Sequence, residues 1–313
     1  MNSFGTAFRV SVFGESHGSL VGVTLDGVPA GIPLSADDFK ADIARRSPAG
    51  SGLGTTRRED DLPQFVSGVY NGFTTGAPLT ITFENKDCRS GDYEAFKDMP
   101  RPGHADYVAG VKYGGYADMR GGGHFSGRLT LPLVAAGVVA KKILGPAYSF
   151  SSYAEVHEEL LEEGDSVGGT VYCICTGAPA GLGEPFFDSV ESMVAHLAFS
   201  IPGVRGVEFG DGFAAAEMKG SEHNDPIVDE AGHTMRNASG GVNGGITNGN
   251  SICFAMAVKP TSSIAAAQQT FNFAKGGMDT LEIKGRHDRC IAKRCPVIAE
   301  AALAIALADL SLR

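Results

Sequence analysis

Apolar residues follow two patterns along the chain, short runs rich in β-branched side chains and longer runs that are apolar almost throughout. The short runs predict β-strands, because β-branched and aromatic side chains favour extended backbone. They lie at residues 8–14, 20–25, 78–83, 170–176, 204–209 and 252–258. The long runs, at residues 130–144 and 296–310, predict buried helices.

Three further segments carry helix signals. Ser35, followed by two aspartates, is typical of an N-cap and predicts a helix that runs to about Arg46. Residues 154–163 predict an exposed helix, and residues 190–200 predict another. Helices and strands are mixed, and no repeat or linker-like stretch divides the chain. The pattern therefore predicts one α+β domain over residues 1–313, with the order of its strands left open.

Glycine is the unusual feature of the composition. The chain has 43 glycines among 313 residues, about twice the usual share of roughly 7%. They show no three-residue period, which excludes a collagen-like protein. We therefore expect loops that need unusual backbone angles or a close approach of backbone to a ligand.

Charge and cysteine usage exclude several classes of protein. The formal net charge of −10 argues against a nucleic-acid-binding protein. No apolar stretch reaches the length of about 20 residues that spans a bilayer, and no signal peptide is apparent. The six cysteines include no CxxC pair, so we expect no zinc or other metal site. A cytoplasmic protein with reduced thiols is the resulting expectation.

The first loop with candidate chemistry is GESHG (residues 14–18). A histidine between strands, next to glycine, can approach a ligand and transfer protons near neutral pH. The alternative is an exposed turn histidine. A hydrolase that uses Ser16 and His17 is a weaker hypothesis, because a strand rather than a helix is predicted after this loop.

Two more loops combine arginine, histidine and glycine. In RPGHADY (residues 101–107), an arginine could hold a phosphate or carboxylate while His104 moves a proton. The alternative there is a solvated turn with a local Arg–Asp pair. RGGGHFSGR (residues 120–128) precedes a helix, so its backbone N–H groups could bind an anion. It matches neither the P-loop nor the dinucleotide fingerprint, and an ordinary flexible helix entry remains open.

Two later loops complete the set. KPTSS (residues 259–263) offers one cation and three hydroxyls, which suit a phosphate or a ribityl chain. GRHDR (residues 285–289) places Asp288 between arginines, which would lower the pKa of its carboxyl if they are close. Together the loops predict a positively charged pocket for a small ligand with several negative charges.

These blocks, in this order and with DGVP at residues 26–29, resemble the chorismate synthase family over nearly the whole chain. The resemblance implies a β-α-β sandwich of antiparallel sheets and helices, assembled as a homotetramer. It implies a lyase of the shikimate pathway, which leads to the aromatic amino acids. The reaction would be the 1,4-anti elimination of phosphate from 5-enolpyruvylshikimate 3-phosphate, giving chorismate, with reduced FMN and no net redox change. Since no reductase domain is evident, the sequence favours an external reductant, with NADPH as the candidate.

The resemblance also implies roles for individual residues. His17 would protonate near the reduced flavin, His104 would assist the departure of phosphate, and Asp288 would work with flavin N5 in removing the ring proton. The substrate-binding positions are Arg46, Arg101, Arg128 and Arg286. The FMN-binding positions are His124, Phe125, Ser126, Gly244, Lys259, Pro260, Thr261, Ser262, Ser263 and Arg286.

Several positions depart from the family pattern. His124 and Phe125 stand where Arg-Ser is common, Gly52 where many members have arginine, and Ala238 where histidine is usual. Because a titratable side chain replaces a permanent cation at residue 124, we expect FMN affinity to depend on pH. The same departures leave open a non-catalytic relative that binds FMN or another anion.

Overall fold

A computed structural model describes residues 1–47, 59–86, 96–283 and 288–313. Gly52, Cys88, Arg286 and His287 lie outside these residues. The strands are Ser3–Phe4 (β1), Arg9–Gly14 (β2), Leu20–Asp26 (β3), Gln64–Ser67 (β4), Val69–Tyr70 (β5), Phe73–Thr74 (β6), Leu79–Glu84 (β7), Ser149–Glu155 (β8), Gly169–Thr176 (β9), Val204–Phe209 (β10), Val242–Asn243 (β11), Ile246–Thr247 (β12), Ile252–Val258 (β13), Gln268–Asn272 (β14) and Gly277–Leu281 (β15). The helices are Lys40–Arg46 (α1), Asp106–Tyr113 (α2), Thr130–Leu144 (α3), Val190–Ser200 (α4), Gly220–His223 (α5) and Pro296–Ser311 (α6).

Two antiparallel sheets form the outer layers. One has five strands in the order β1-β2-β3-β7-β4, and the other has four in the order β10-β13-β9-β8. Every strand predicted from the sequence is present, with bounds within two residues of the prediction. The order places strands that are distant along the chain side by side, as in the pairing of β13 with β9, where Phe254 lies opposite Cys173.

Helices α3 and α6 form the layer between the sheets. Helix α3 packs on β3 and β7 of one sheet, and α6 packs on β8 and β9 of the other. The two helices cross where Gly137 meets Ala301, and a Cβ at Gly137 would lie 2.4 Å from the Cβ of Ala301. Residues 297–310 of α6 are all buried, as expected of a helix that is apolar on every side. This arrangement confirms the predicted α+β sandwich.

The N-terminal signal of the first helix is confirmed. The backbone N–H of Ser35 donates to Oδ2 of Asp38 at 2.7 Å, closing a capping box on a short 3₁₀ turn that leads into α1. The helix ends at Arg46, as predicted.

The predicted helix at residues 154–163 is wrong. The chain there forms the end of β8 and then a single 3₁₀ turn, Glu158–Leu160. Side chains along β8 alternate between exposed and half-buried positions, and Tyr153 stacks on Tyr172 of β9 with ring centroids 4.9 Å apart. Cross-strand pairing therefore overrides the helix propensity of the alanine, leucine and glutamate residues. Among the described residues, no helix is long and apolar enough to cross a membrane.

Candidate active site

One cavity of about 830 Å³ brings together loops that are far apart in the sequence. Most of the predicted site residues line it, namely His17, Arg46, Arg101, His104, His124, Phe125, Ser126, Arg128, Lys259, Pro260, Thr261, Ser262, Ser263 and Asp288. Gly244, at the turn between β11 and β12, is not among the described residues that line it. Its predicted contact with FMN stays a prediction, as does that of Arg286.

The triple glycine separates the two catalytic candidates among the histidines. Gly121, Gly122 and Gly123 have φ angles of 63°, 82° and 53°, a region that favours glycine. A Cβ at Gly121 would lie 2.5 Å from Nε2 of His17, and one at Gly122 would lie 3.8 Å from Nε2 of His104. The loop therefore lies between the imidazole rings of His17 and His104.

His104 is held by a turn and by a carboxylate. Its backbone N–H donates to the carbonyl of Arg101 at 3.2 Å, and Gly103 supplies the φ of 67° in this turn. Its Nδ1 lies 2.7 Å from Oδ1 of Asp106. Arg101 donates to the same carboxylate through Nε and Nη2, both at 2.7 Å. The Arg–Asp pair of the alternative interpretation is therefore present, but it is buried rather than solvated, with each side chain 5% exposed.

Arg101 joins this carboxylate to the KPTSS loop. Its Nη1 donates to Oγ of Ser263 at 3.0 Å, and its guanidinium lies 4.5 Å from the ring centre of Phe96. Burial would raise the pKa of Asp106, but the hydrogen bonds from Arg101 and His104 outweigh it and hold that pKa well below its ordinary value. Asp106 is thus an anion inside a largely dry cluster.

Arg46 and Arg128 share one carboxylate, that of Asp61. Nη1 of Arg128 donates to Oδ1 of Asp61 at 2.5 Å, and Nη1 of Arg46 lies 3.5 Å from Oδ2. All three side chains are at most 7% exposed. Burial and the nearby Arg294 push the pKa of Arg46 down, and Asp61 opposes this effect. Sequence reasoning missed Asp61, whose only signal was its place in a run of charged residues.

Asp288 lies at the other side of the same arginine cluster. Its Oδ2 accepts a hydrogen bond from Nη1 of Arg294 at 2.7 Å, and Nε of Arg294 donates to the backbone carbonyl of Arg46 at 2.9 Å. Arg289, which the sequence placed beside Asp288, donates instead to the carbonyl of Glu162 at 3.0 Å. Arg294 was also missed, because it follows the recognised motif on a separate 3₁₀ turn, Ala292–Arg294.

The KPTSS loop is anchored to the turn that carries His104. Nζ of Lys259 donates to the carbonyl of Gly103 at 2.5 Å, and Oγ of Ser262 donates to it at 2.8 Å. Burial and the nearby Arg205, which also lines the cavity, lower the pKa of Lys259. Within the described part of the chain, the buried Oγ1 of Thr261 has no hydrogen-bond partner. A buried hydroxyl of this kind calls for a ligand or a water molecule.

His124 contacts the end of β2 and the residue before β1. Its Nδ1 lies 2.8 Å from the carbonyl oxygen of Gly14, and its Nε2 lies 3.2 Å from Oδ1 of Asn2. Ser16, the nucleophile of the hydrolase hypothesis, is only 1% exposed, which does not favour attack on a substrate. The cavity as a whole presents cations, histidines (among them His17 and His104) and the carboxylates of Glu59, Asp61 and Asp288, on different loops. This set can bind an anionic ligand and move protons on it.

Comparison with known proteins gives a consistent result. The family model described as Chorismate synthase matches residues 8–158 and 147–312. The chain is 59% identical to the chorismate synthase of Chitinophaga pinensis, over the whole chain and 97% of that protein. It is 44% identical to that of Korarchaeum cryptofilum, over 98% of the chain and 96% of that protein. A solved chorismate synthase structure superposes with a TM-score of 0.73 at 24% identity, covering 98% of this chain and 92% of the other, which supports the fold.

Proposed function

From the premise that the chain belongs to the chorismate synthase family, we propose that this shikimate-pathway enzyme eliminates phosphate from 5-enolpyruvylshikimate 3-phosphate in the 1,4-anti sense, with reduced FMN bound. The C–O bond to phosphate and one ring C–H bond break, and a second ring double bond forms. The observation that carries the proposal is the convergence of Arg46, Arg128, His17, His104 and Asp288 on one cavity.

The charge of the site suits a substrate with one phosphate and two carboxylates. Arg46 and Arg128 share a single carboxylate, so the pair keeps a net positive charge. Arg294 adds a third guanidinium, paired with Asp288. We assign Arg46 and Arg128 to binding of the anionic groups, because arginine forks bind phosphate and carboxylate with defined geometry.

The proton transfers are assigned to three side chains. His104 would donate a proton to the departing phosphate through Nε2, since its Nδ1 faces Asp106. Asp288, held by Arg294, would accept the ring proton, and His17 would hold a proton near the flavin. Fixed cations around a leaving phosphate stabilise its developing charge more strongly in a site shielded from water.

The residues of the KPTSS loop fit a flavin phosphate and ribityl chain. Thr261, whose buried Oγ1 has no partner among the described residues, lines the cavity together with Lys259, Ser126 and Phe125. Bound there, reduced FMN would supply electron density that protein side chains cannot. Arg101 would contribute by organising this loop, because Nη1 reaches Ser263.

Other features stay predictions from the sequence and from the family resemblance. They are the single domain over residues 1–313, the homotetramer, the cytoplasmic location and the supply of reduced FMN by an external, NADPH-linked reductant. The FMN contacts of His124, Gly244 and Arg286, and the pH-dependent affinity expected from His124, belong with them.

Phosphate release under strict anaerobiosis tests the proposal. Purified protein with photoreduced FMN and 5-enolpyruvylshikimate 3-phosphate should release one phosphate per chorismate formed, and oxidised FMN should support no turnover. Retention of reduced FMN on the protein without phosphate release would instead favour the non-catalytic FMN-binding relative.

A further inference from the structure

We propose that Asp106 is a positioning residue that fixes the tautomer and orientation of His104, so that Nε2 is the nitrogen that exchanges a proton in the cavity. This inference rests on the proposed function in assigning the proton transfer to His104. The contact between Asp106 and His104 is made by the protein alone and does not depend on that assignment. Sequence resemblance assigned roles to Arg101 and His104 in this loop and none to Asp106.

The hydrogen-bond partners of Nδ1 determine which nitrogen of neutral His104 carries the proton. Nδ1 of His104 lies 2.7 Å from Oδ1 of Asp106 and 3.0 Å from Nη2 of Arg101. An ionised carboxylate only accepts and a guanidinium only donates. Because Oδ1 can only accept, its 2.7 Å contact with Nδ1 requires a proton on Nδ1, since an unprotonated Nδ1 would set its lone pair against those of the carboxylate. Neutral His104 is then the Nδ1–H tautomer, with a lone pair on Nε2.

The other oxygen of Asp106 is engaged as well. Oδ2 accepts from Nε of Arg101 at 2.7 Å and from the backbone N–H of the same residue at 3.1 Å. The carboxylate is therefore held at both oxygens by one arginine, and the histidine is fixed against it. Among the described residues, the charged groups within hydrogen-bond distance of the His104 ring are those of Arg101 and Asp106. Nζ of Lys259 donates to the carbonyl of Gly103, the residue before His104.

The orientation places Nε2 near Gly122 of the triple-glycine loop, which lines the cavity. The nearest atoms to a Cβ built on Gly122 include Nε2 and Cε1 of His104, at 3.8 and 3.9 Å. Gly122 and His104 both line the cavity. In the proposed step, the Nε2–H bond of imidazolium breaks as an O–H bond forms on the departing phosphate, and the carboxylate of Asp106 stays ionised throughout.

Asp106→Asn tests the assignment, because asparagine offers one acceptor oxygen where Arg101 needs two. With that oxygen on Arg101, the amide N–H faces Nδ1 of His104 and favours the opposite tautomer, Nε2–H. We expect kcat to fall roughly 10²- to 10⁴-fold, with a displaced pH profile. Asp229→Asn is the matched control, since Asp229 pairs with Nδ1 of His233 at 2.6 Å on the surface, and it should leave kcat unchanged.

A direct readout of the tautomer separates positioning from a structural role. In ¹⁵N-histidine-labelled protein, with the His104 signals assigned through His104→Gln, the wild type should show protonated Nδ1 and the Asp106→Asn variant protonated Nε2. An Nε2–H tautomer in the wild type, or an unchanged tautomer in the variant, would overturn the proposal. Because no substrate is needed, this outcome is independent of whether the wild type releases phosphate.

A second variant tests the positioning role in case Asp106→Asn does not fold. Asp106→Glu keeps two acceptor oxygens, so it should retain the Nδ1–H tautomer and more activity than Asp106→Asn. If Asp106→Asn unfolds, the glutamate variant still decides the question. An Nε2–H tautomer in a folded Asp106→Glu protein with full activity would contradict the positioning role.

Discussion

The imidazole of His17 lies directly against the α-carbon of Gly121, so close that a Cβ on Gly121 would be 2.4 Å from Cδ2 of the ring. Gly121 also has a φ of 63°, which other residues rarely adopt. The absence of a side chain therefore serves two purposes at one position. It permits the turn, and it lets the histidine pack on the backbone of the triple-glycine loop.

Gly121→Ala should displace His17 and lower turnover. The new methyl group needs the ring to move by more than an ångström, and misplacement on this scale can cost on the order of 10²-fold in rate. Steady-state kinetics with reduced FMN measure the effect. Gly110→Ala is the control, since a Cβ there meets nothing within 4 Å on an exposed position of α2. Equal rates for both variants would show that His17 is not held by this contact.

Local pattern was enough for most strands of the two large sheets and for helices α3 and α6, whereas the layered sandwich followed from the family resemblance. Helix α3 was predicted with its observed bounds, Thr130–Leu144, because its buried residues form a continuous apolar run in the sequence. Asp61 could not be found in this way, because its partner Arg128 is 67 residues further along the chain. Asp61 precedes β4, and its meeting with Arg128 depends on the pairing of β4 with β7 and the packing of β7 on α3, which no local pattern encodes.

Asp61→Asn should destabilise the protein and make it more responsive to anions. Removing a carboxylate shared by two buried guanidinium groups leaves charges unpaired, at a cost of roughly 3 kcal/mol or more. Inorganic phosphate bound between Arg46 and Arg128 would offset part of this loss. We expect a lower Tm and a larger rise of Tm with phosphate than in the wild type, measured by differential scanning calorimetry.

The neighbouring Asp60 provides the control for this variant. Its side chain is 69% exposed and pairs with Lys86 at 3.1 Å, so Asp60→Asn should change Tm by little. A phosphate response of Asp61→Asn no greater than that of Asp60→Asn would mean that the two arginines do not form an anion site.

Asp106 should make stability depend on pH in the acid range. Its pKa in the folded protein is lowered from 3.8, so the folded state binds fewer protons than the unfolded state. The stabilisation is complete above the unfolded pKa, from about pH 5 upward, and is lost as the pH falls through the folded value. The difference in unfolding free energy between wild type and Asp106→Asn should therefore shrink from pH 6 to pH 3. Urea titrations across that range measure it, and a constant or growing difference would contradict the assignment.

Asp309, near the end of α6, should be among the most costly side chains to remove. It is fully buried, and its Oδ1 accepts from the backbone N–H groups of Thr6, Ala7 and Phe8 at 2.7–2.8 Å. Asp309→Ala leaves these donors without their acceptor, at about 1–3 kcal/mol for each that stays unsatisfied. Equilibrium urea unfolding should show a loss of several kcal/mol. Asp188→Ala, which removes the exposed partner of Arg313, should cost less than about 1 kcal/mol. A similar small loss for Asp309→Ala would mean that water or another group replaces the carboxylate at the N-terminal segment.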